Sequence, residues 1–328
     1  MWKCYSQCKT FRTIGKTLLT LDANAVATAL PYDQLIETLK RAFSTPSEVP
    51  QRAHYEVTVP DGASGTLLLM PAWQPGNGMG VKIATVFADN AKLGKPAVFA
   101  SYLLMSAETG VPVAMLDGSE LTLRRTAAAS ALASSYLSRE DTKTLLMVGT
   151  GNLAPHLIAA HATVRPISEV CIWGRRPDEA RRLASSLSSA EFSVTIAENL
   201  EDAARCADII SCATLAMEPL IMGEWLSEGQ HLDLVGAFKP DMCEVDEAAV
   251  LLADVYVDTR VGALSEAGEI VQVIESGAMS EADIKGELAE LANGSIAGRS
   301  ESTTITLFKS VGTALEDLAA AQLAMKNL

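Results

Sequence analysis

The run Gly149-Thr150-Gly151-Asn152-Leu153-Ala154 stands between a short, continuous apolar stretch, residues 144–148, and a segment that reads as a helix, residues 154–164. Its chemistry is that of the backbone. Gly149 permits a tight turn, Gly151 removes the side chain that would collide with a pyrophosphate, and Ala154 lets helix and strand approach. The turn through Asn152 and Leu153 then leaves the first N–H groups of a helix facing the phosphates. A glycine pair alone marks only a turn; a strand before it and a helix after it specify a dinucleotide site. The next strand ends in Trp173-Gly174-Arg175-Arg176. NAD sites place Asp or Glu here to accept hydrogen bonds from the ribose hydroxyls. Guanidinium groups instead bind a 2′-phosphate and stack on adenine, so Arg175 and Arg176 point to NADPH in preference to NADH. The competing reading of the two arginines is a solvated loop charge.

Three further cations stand out because their surroundings are apolar or crowded with small residues. These are Arg52, Lys82 within Met79-Gly80-Val81-Lys82-Ile83-Ala84, and Arg125 at the head of Arg125-Thr126-Ala127-Ala128-Ala129. A buried cation requires an anionic partner. Taken singly, each is more often a structural ion-pair member than a ligand contact. The four histidines form neither HxxxH nor HExxH, and Cys4, Cys8, Cys171, Cys206, Cys212 and Cys243 show no CxxC spacing. No metal site and no disulfide framework are expected.

Hydrophobic spacing indicates the elements that must position these groups. Leu35, Ile36, Leu39 and Phe43 recur at helical intervals over residues 32–43, and Pro46 and Pro50 end the pattern. Residues 55–59, 65–70, 80–88, 98–105 and 111–116 read as strands, with turns at Asp61-Gly62 and Thr109-Gly110. Residues 125–137 are almost all Ala, Ser and Leu, a helix whose small side chains permit close contact. Strands at residues 144–148, 170–173, 207–212, 231–235 and 254–257 alternate with helical stretches, as a doubly wound sheet requires. Residues 304–324 read as one long amphipathic helix. The expected class is α/β. A Rossmann-type doubly wound parallel sheet occupies residues 125–303, and an α+β substrate-binding and dimerisation unit takes residues 22–124 with 304–328. Residues 1–21 form a flexible extension: Lys3, Lys9, Arg12 and Lys16 occur there without the apolar core of a secretory signal.

A chain of 328 residues exceeds what a single hydrophobic core usually supports, which agrees with two units. An apolar fraction of 48% with only 5% aromatic residues fits helices packed closely on a parallel sheet better than a β-sandwich. The net charge of −14, spread through the chain, opposes binding to nucleic acid or to anionic membranes. No apolar stretch approaches the roughly 20 residues of a membrane-spanning helix. A soluble, cytoplasmic protein is expected.

These segments, together with Leu68-Leu69-Met70-Pro71-Ala72-Trp73, Val235-Gly236-Ala237-Phe238-Lys239-Pro240-Asp241 and Thr306-Leu307-Phe308-Lys309-Ser310-Val311-Gly312, resemble the ornithine cyclodeaminase/μ-crystallin family from about Leu19 onward. The resemblance implies that Arg52, Lys82 and Arg125 surround a substrate α-carboxylate. It also implies that Thr214, Phe238 and Ser310, Val311 and Gly312 line the nicotinamide pocket, and that a homodimer forms through the first unit. Cyclodeaminases of the family carry aspartate where this chain has Phe238, which can neither transfer a proton nor accept a charge-assisted hydrogen bond. Asp89-Asn90 and Ser302-Thr303-Thr304 depart from the family's common pattern as well. With Phe238 in place of that aspartate, the resemblance points to the branch that reduces cyclic ketimine carboxylates, a small cyclic imino acid being the substrate. Lys82 is then the best candidate for the proton source, or else a third carboxylate contact. An amino-acid dehydrogenase of the alanine dehydrogenase type and a non-catalytic NADPH-binding protein are the alternatives; ornithine cyclodeamination is disfavoured.

Overall fold

Strands in which buried side chains alternate with outward-facing ones build the first sheet of the computed structural model, which describes residues 12–13, 16–60, 62–187 and 191–328. Its members are β1 (Leu19–Leu21), β2 (Ala53–Val57), β3 (Gly65–Gln74), β4 (Gly78–Val86), β5 (Val98–Met105) and β6 (Pro112–Asp117), in the order β1-β6-β5-β4-β3-β2. All neighbours are antiparallel except β1 and β6. Helices Gly118–Leu137 and Ala314–Lys326 lie against one face, and helix Tyr32–Phe43 packs on both of them. Asp117 caps the first of these helices by accepting a hydrogen bond from the amide of Glu120 at 2.8 Å. The small residues 127–133 are buried throughout, which lets the helix sit between the two sheets.

The second sheet is parallel throughout: β7 (Thr144–Val148), β8 (Glu169–Trp173), β9 (Ser193–Ile196), β10 (Ile209–Cys212), β11 (His231–Leu234), β12 (Asp254–Val257), β13 (Gly286–Glu287) and β14 (Thr306–Lys309). The order β9-β8-β7-β10-β11-β14-β12-β13 reverses direction between β7 and β10. In such a sheet that reversal opens a crevice beyond the strand exits. The α/β class and the doubly wound sheet are thus as expected.

Three expectations need correction. Residues 304–324 are not one helix: Thr306–Lys309 is a fully buried strand between β11 and β12, and a helix begins only at Ala314. A short apolar run does not distinguish strand from helix by periodicity, and Gly312, at φ 82°, breaks the chain between the two. This strand therefore joins the nucleotide sheet, not the first unit. Leu19–Leu21 pairs in parallel with Ala114, Met115 and Leu116, so these residues are sheet and not extension. The small-residue helix starts at Gly118, which places Arg125 two turns inside it. The earlier part of the expected extension with Lys3, Cys4, Cys8 and Lys9, and Asp61 of the expected turn, lie outside the described residues. No helix among the described residues is long and apolar enough to cross a membrane.

Candidate active site

Beyond the exits of β7 and β10 lies a cleft of about 460 Å³, lined among others by Gly149, Gly151, Gly174, Arg175, Arg176 and Thr214. Gly149 adopts φ 121°, and a Cβ there would lie 2.6 Å from the carbonyl oxygen of Ala213, so only glycine fits. Gly151 differs. A Cβ there would meet nothing within 4 Å, so protein packing does not demand glycine, whereas close approach of a pyrophosphate does. Asn152 and Leu153 stand in the turn before helix Ala154–Val164 and do not line the cleft. Arg175 and Arg176 are both exposed at its outer end, Arg176 lying 3.6 Å from Glu179. The residues present fit a dinucleotide.

The three apolar-context cations are brought together, but not as free ligands. Arg52 donates to the carbonyls of Val311 at 3.2 Å and Gly312 at 2.5 Å, and its Nε lies 3.4 Å from Glu266 across the two units. Arg125 is buried and pairs through Nε with Asp317 at 3.0 Å and through Nη1 with Glu316 at 2.5 Å. It also fills the space where Gly312 would otherwise carry a Cβ. Lys82 is buried too, its Nζ 3.0 and 2.8 Å from the two oxygens of Asp317. Asp317 Oδ1 thus bridges Lys82 and Arg125. Asp258, at the exit of β12, accepts from the amides of Thr259 at 2.6 Å, Val311 at 2.8 Å and Gly312 at 2.6 Å, which fixes the loop whose carbonyls hold Arg52. Next to this group lies a cavity of about 560 Å³ walled by Arg52, Met70, Asp258, Gly262, Gly312 and Thr313. Lys82 and Arg125 stand just behind that wall: Met70 is the register partner of Lys82, and Gly312 touches Arg125.

The electrostatics follow from burial. Loss of solvent, reinforced by the nearby Arg125, pushes the Lys82 ammonium down to about 8, and Asp317 offsets this only in part. Burial also pushes the Glu316 carboxyl up to about 7, against the pull of Arg125. Asp258 is raised by burial and partly restored by its three amides. Burial works to lower Arg125, but Asp317 and Glu316 outweigh it and raise the guanidinium.

The sequence model of the ornithine cyclodeaminase/mu-crystallin family matches residues 17–328. The chain belongs to that family. A Δ1-pyrroline-2-carboxylate reductase of Colwellia psychrerythraea is 39% identical over 314 residues, covering 94% of this chain and 98% of its own. Among solved structures, the Δ1-pyrroline-2-carboxylate reductase of Thermococcus litoralis in complex with NADH and L-proline shares 34% identity and a TM-score of 0.89, covering 94% and 97%. An archaeal alanine dehydrogenase, a dimer with bound NAD, shares 29% identity and a TM-score of 0.88, covering 94% and 95%.

In this family member, sequence reasoning missed the anions. Glu316 and Asp317 follow the helix cap Thr313 and are wholly buried in a helix whose other buried residues are all Ala or Leu, a pairing of acids that buried cations elsewhere in the chain could have accounted for. Phe238 lies on the loop after β11, is 42% exposed and lines neither cavity. The Thr214 hydroxyl donates to Glu244 at 2.8 Å, so it does not point to a ligand. The Ser310 amide donates to the carbonyl of Leu234 at 3.1 Å, tying the exits of β14 and β11 together. His54 is exposed on β2, His156 bonds Tyr32 at 2.7 Å, and His161 faces Asp233 at 3.1 Å inside the nucleotide unit.

Proposed function

We propose that this oxidoreductase of C=N bonds uses NADPH to reduce cyclic ketimine carboxylates, Δ1-pyrroline-2-carboxylate to L-proline and Δ1-piperideine-2-carboxylate to L-pipecolate. One observation carries the reading: Arg52, from the first unit, and Arg125, from the helix between the two sheets, both meet the Val311–Gly312 loop at the strand exits of the nucleotide sheet. A carboxylate held by those guanidinium groups lies at the exits of β12 and β14, on the same edge of the parallel sheet as the dinucleotide cleft. Orientation of that kind supplies much of the rate of a hydride step.

The cofactor, when bound, supplies the hydride. Arg52 takes one side of the substrate carboxylate, exchanging Glu266 for it, while Arg125 takes the other. Lys82, its ammonium brought down to about 8, serves as the proton source for the ring nitrogen or as the third carboxylate contact. Phe238, exposed on the loop after β11, has no group that could act on a free amine. Exposed Arg175 and Arg176, with no acid at the end of β8, support NADPH over NADH. The outward face of the first sheet carries exposed Tyr55, Ile83, Phe99, Val113 and Met115, an apolar surface that supports a homodimer formed through it.

The test is purified protein with NADPH or NADH and a panel of cyclic imino acids, followed at the cofactor's absorbance. Turnover of both imines with NADPH preferred is expected. Turnover only of a 2-oxoacid with ammonium would establish the amino-acid dehydrogenase alternative instead, which the likeness to an alanine dehydrogenase favours.

A further inference from the structure

We propose that Glu244 is a positioning residue that holds both walls of the nicotinamide end of the cleft in place at once. Its carboxylate is wholly buried on the loop between β11 and helix Glu247–Leu252. Oε1 accepts from the amide of Thr214 at 2.7 Å and from the Thr214 hydroxyl at 2.8 Å. Oε2 accepts from the amides of Gly236 at 2.8 Å and Ala237 at 3.4 Å. Thr214 follows β10 and Gly236 follows β11, so one side chain braces two neighbouring strand exits through charge-assisted hydrogen bonds. The brace leaves no slack: a Cβ on Gly236 would run into the backbone of Thr214 and into Glu244 itself.

Two consequences follow for the reaction. The segment from Thr214 to Met217 forms a wall of the dinucleotide cleft, and the segment from Gly236 onward carries Phe238. Both are set by the same carboxylate, so its loss loosens the Thr214–Met217 wall and misplaces the cofactor's reactive end. This rests on the reading above, in which the family resemblance puts Thr214 in the wall of the nicotinamide pocket. A second buried carboxylate in the same sheet provides the contrast. Asp233 accepts from Ser211 at 2.7 Å and faces His161 at 3.1 Å, but touches no cleft segment.

The experiment compares Glu244→Gln with Asp233→Asn. The amide of Gln would turn an N–H toward N–H donors and release one wall. Cofactor binding, read by nucleotide fluorescence, is expected to weaken about ten-fold in Glu244→Gln, with kcat at saturating substrates falling by a similar factor, as for one lost charge-assisted hydrogen bond. Binding of 2′,5′-ADP, which occupies only the adenosine end, stays unchanged. Asp233→Asn lowers the thermal midpoint but leaves both cofactor affinity and kcat of the folded enzyme unchanged. Wild-type cofactor affinity and kcat in Glu244→Gln overturn the proposal, as does an equal loss of both in Asp233→Asn. If Glu244→Gln does not fold, Thr214→Val removes one leg: weaker cofactor binding supports the brace and unchanged binding refutes it. A wild-type enzyme inactive on every imine would sink the substrate reading alone, because the affinity comparison would still stand.

Discussion

Replacing Arg125 by Met tests whether the buried guanidinium binds substrate or merely completes an ion-pair network. The side chain is almost wholly buried and pairs with both Glu316 and Asp317. Removing one member of such a group leaves buried charge uncompensated and costs about 3–5 kcal/mol. Arg125→Met alone therefore loses stability as well as activity, and its kinetics would be hard to interpret. Glu316 offers the control. Its carboxyl, already pushed up to about 7 by burial, has Arg125 as its ion-pair partner. In Arg125→Met/Glu316→Gln the buried carboxyl left without its partner is replaced by an amide, and Asp317 keeps Lys82. The double variant is expected to recover about 1–3 kcal/mol of the single variant's loss, the usual coupling between touching residues. Activity should not recover. A guanidinium contact to a substrate carboxylate contributes about 1.5–3 kcal/mol, so kcat/KM stays about 10- to 150-fold below wild type in both variants. Urea denaturation gives the stabilities and cofactor absorbance gives the rates. A double variant with wild-type kcat/KM would refute any role of Arg125 in holding substrate.

Further outcomes are expected from the same geometry. Below about pH 7 Glu316 is protonated and no longer competes for Arg125, whereas above about pH 8 Lys82 loses its charge. Both changes weaken the hold on an anionic substrate as pH rises, so KM for the imino acid should increase across that window; a KM that falls there contradicts the assignment. Arg175→Ala with Arg176→Ala should raise KM for NADPH about ten-fold while sparing NADH, since only the 2′-phosphate loses a contact; equal effects on the two cofactors would point to general loop damage. Ile83→Glu, on the exposed face of the first sheet, should convert a dimer to monomer by sedimentation, and an unchanged mass would locate the interface elsewhere.

What the sequence made legible was local, and what it concealed was long-range. The turn at Gly149 and the arginines after Trp173 are read within about thirty residues, because strand, turn and helix follow one another in the chain. The run Thr306–Lys309 was misread as helix for the opposite reason: its neighbours β11 and β12 lie far away in sequence, and only pairing with them makes it a strand. The anions of the site were hidden in the same way. Lys82 and Asp317 are separated by 235 positions, and nothing near either residue indicates the other. A buried cation announces that an acid must exist; it does not say which acid.

Two other buried acids, Asp258 and Glu244, owe their placement to the parallel sheet. Backbone amides at its strand exits have no ladder partner and cannot reach water once the two units close over them. Asp258 and Glu244 each collect such amides from two exits, and so turn a cost of burial into fixed loop positions. On the proposed function the same edge also receives an anionic substrate. Arg52, Lys82 and Arg125 consequently stand among Glu266, Asp317 and Glu316, and a ligand carboxylate has to displace or outbid internal ones. Arg52 is the least committed of the three, being half-buried and 3.4 Å from its carboxylate. Exchange of Glu266 for substrate at Arg52 is therefore the contact most readily remade, and Glu266→Gln is expected to lower KM for the imino acid with little change in kcat. A raised KM would mean that Glu266 orients Arg52 and does not compete for it.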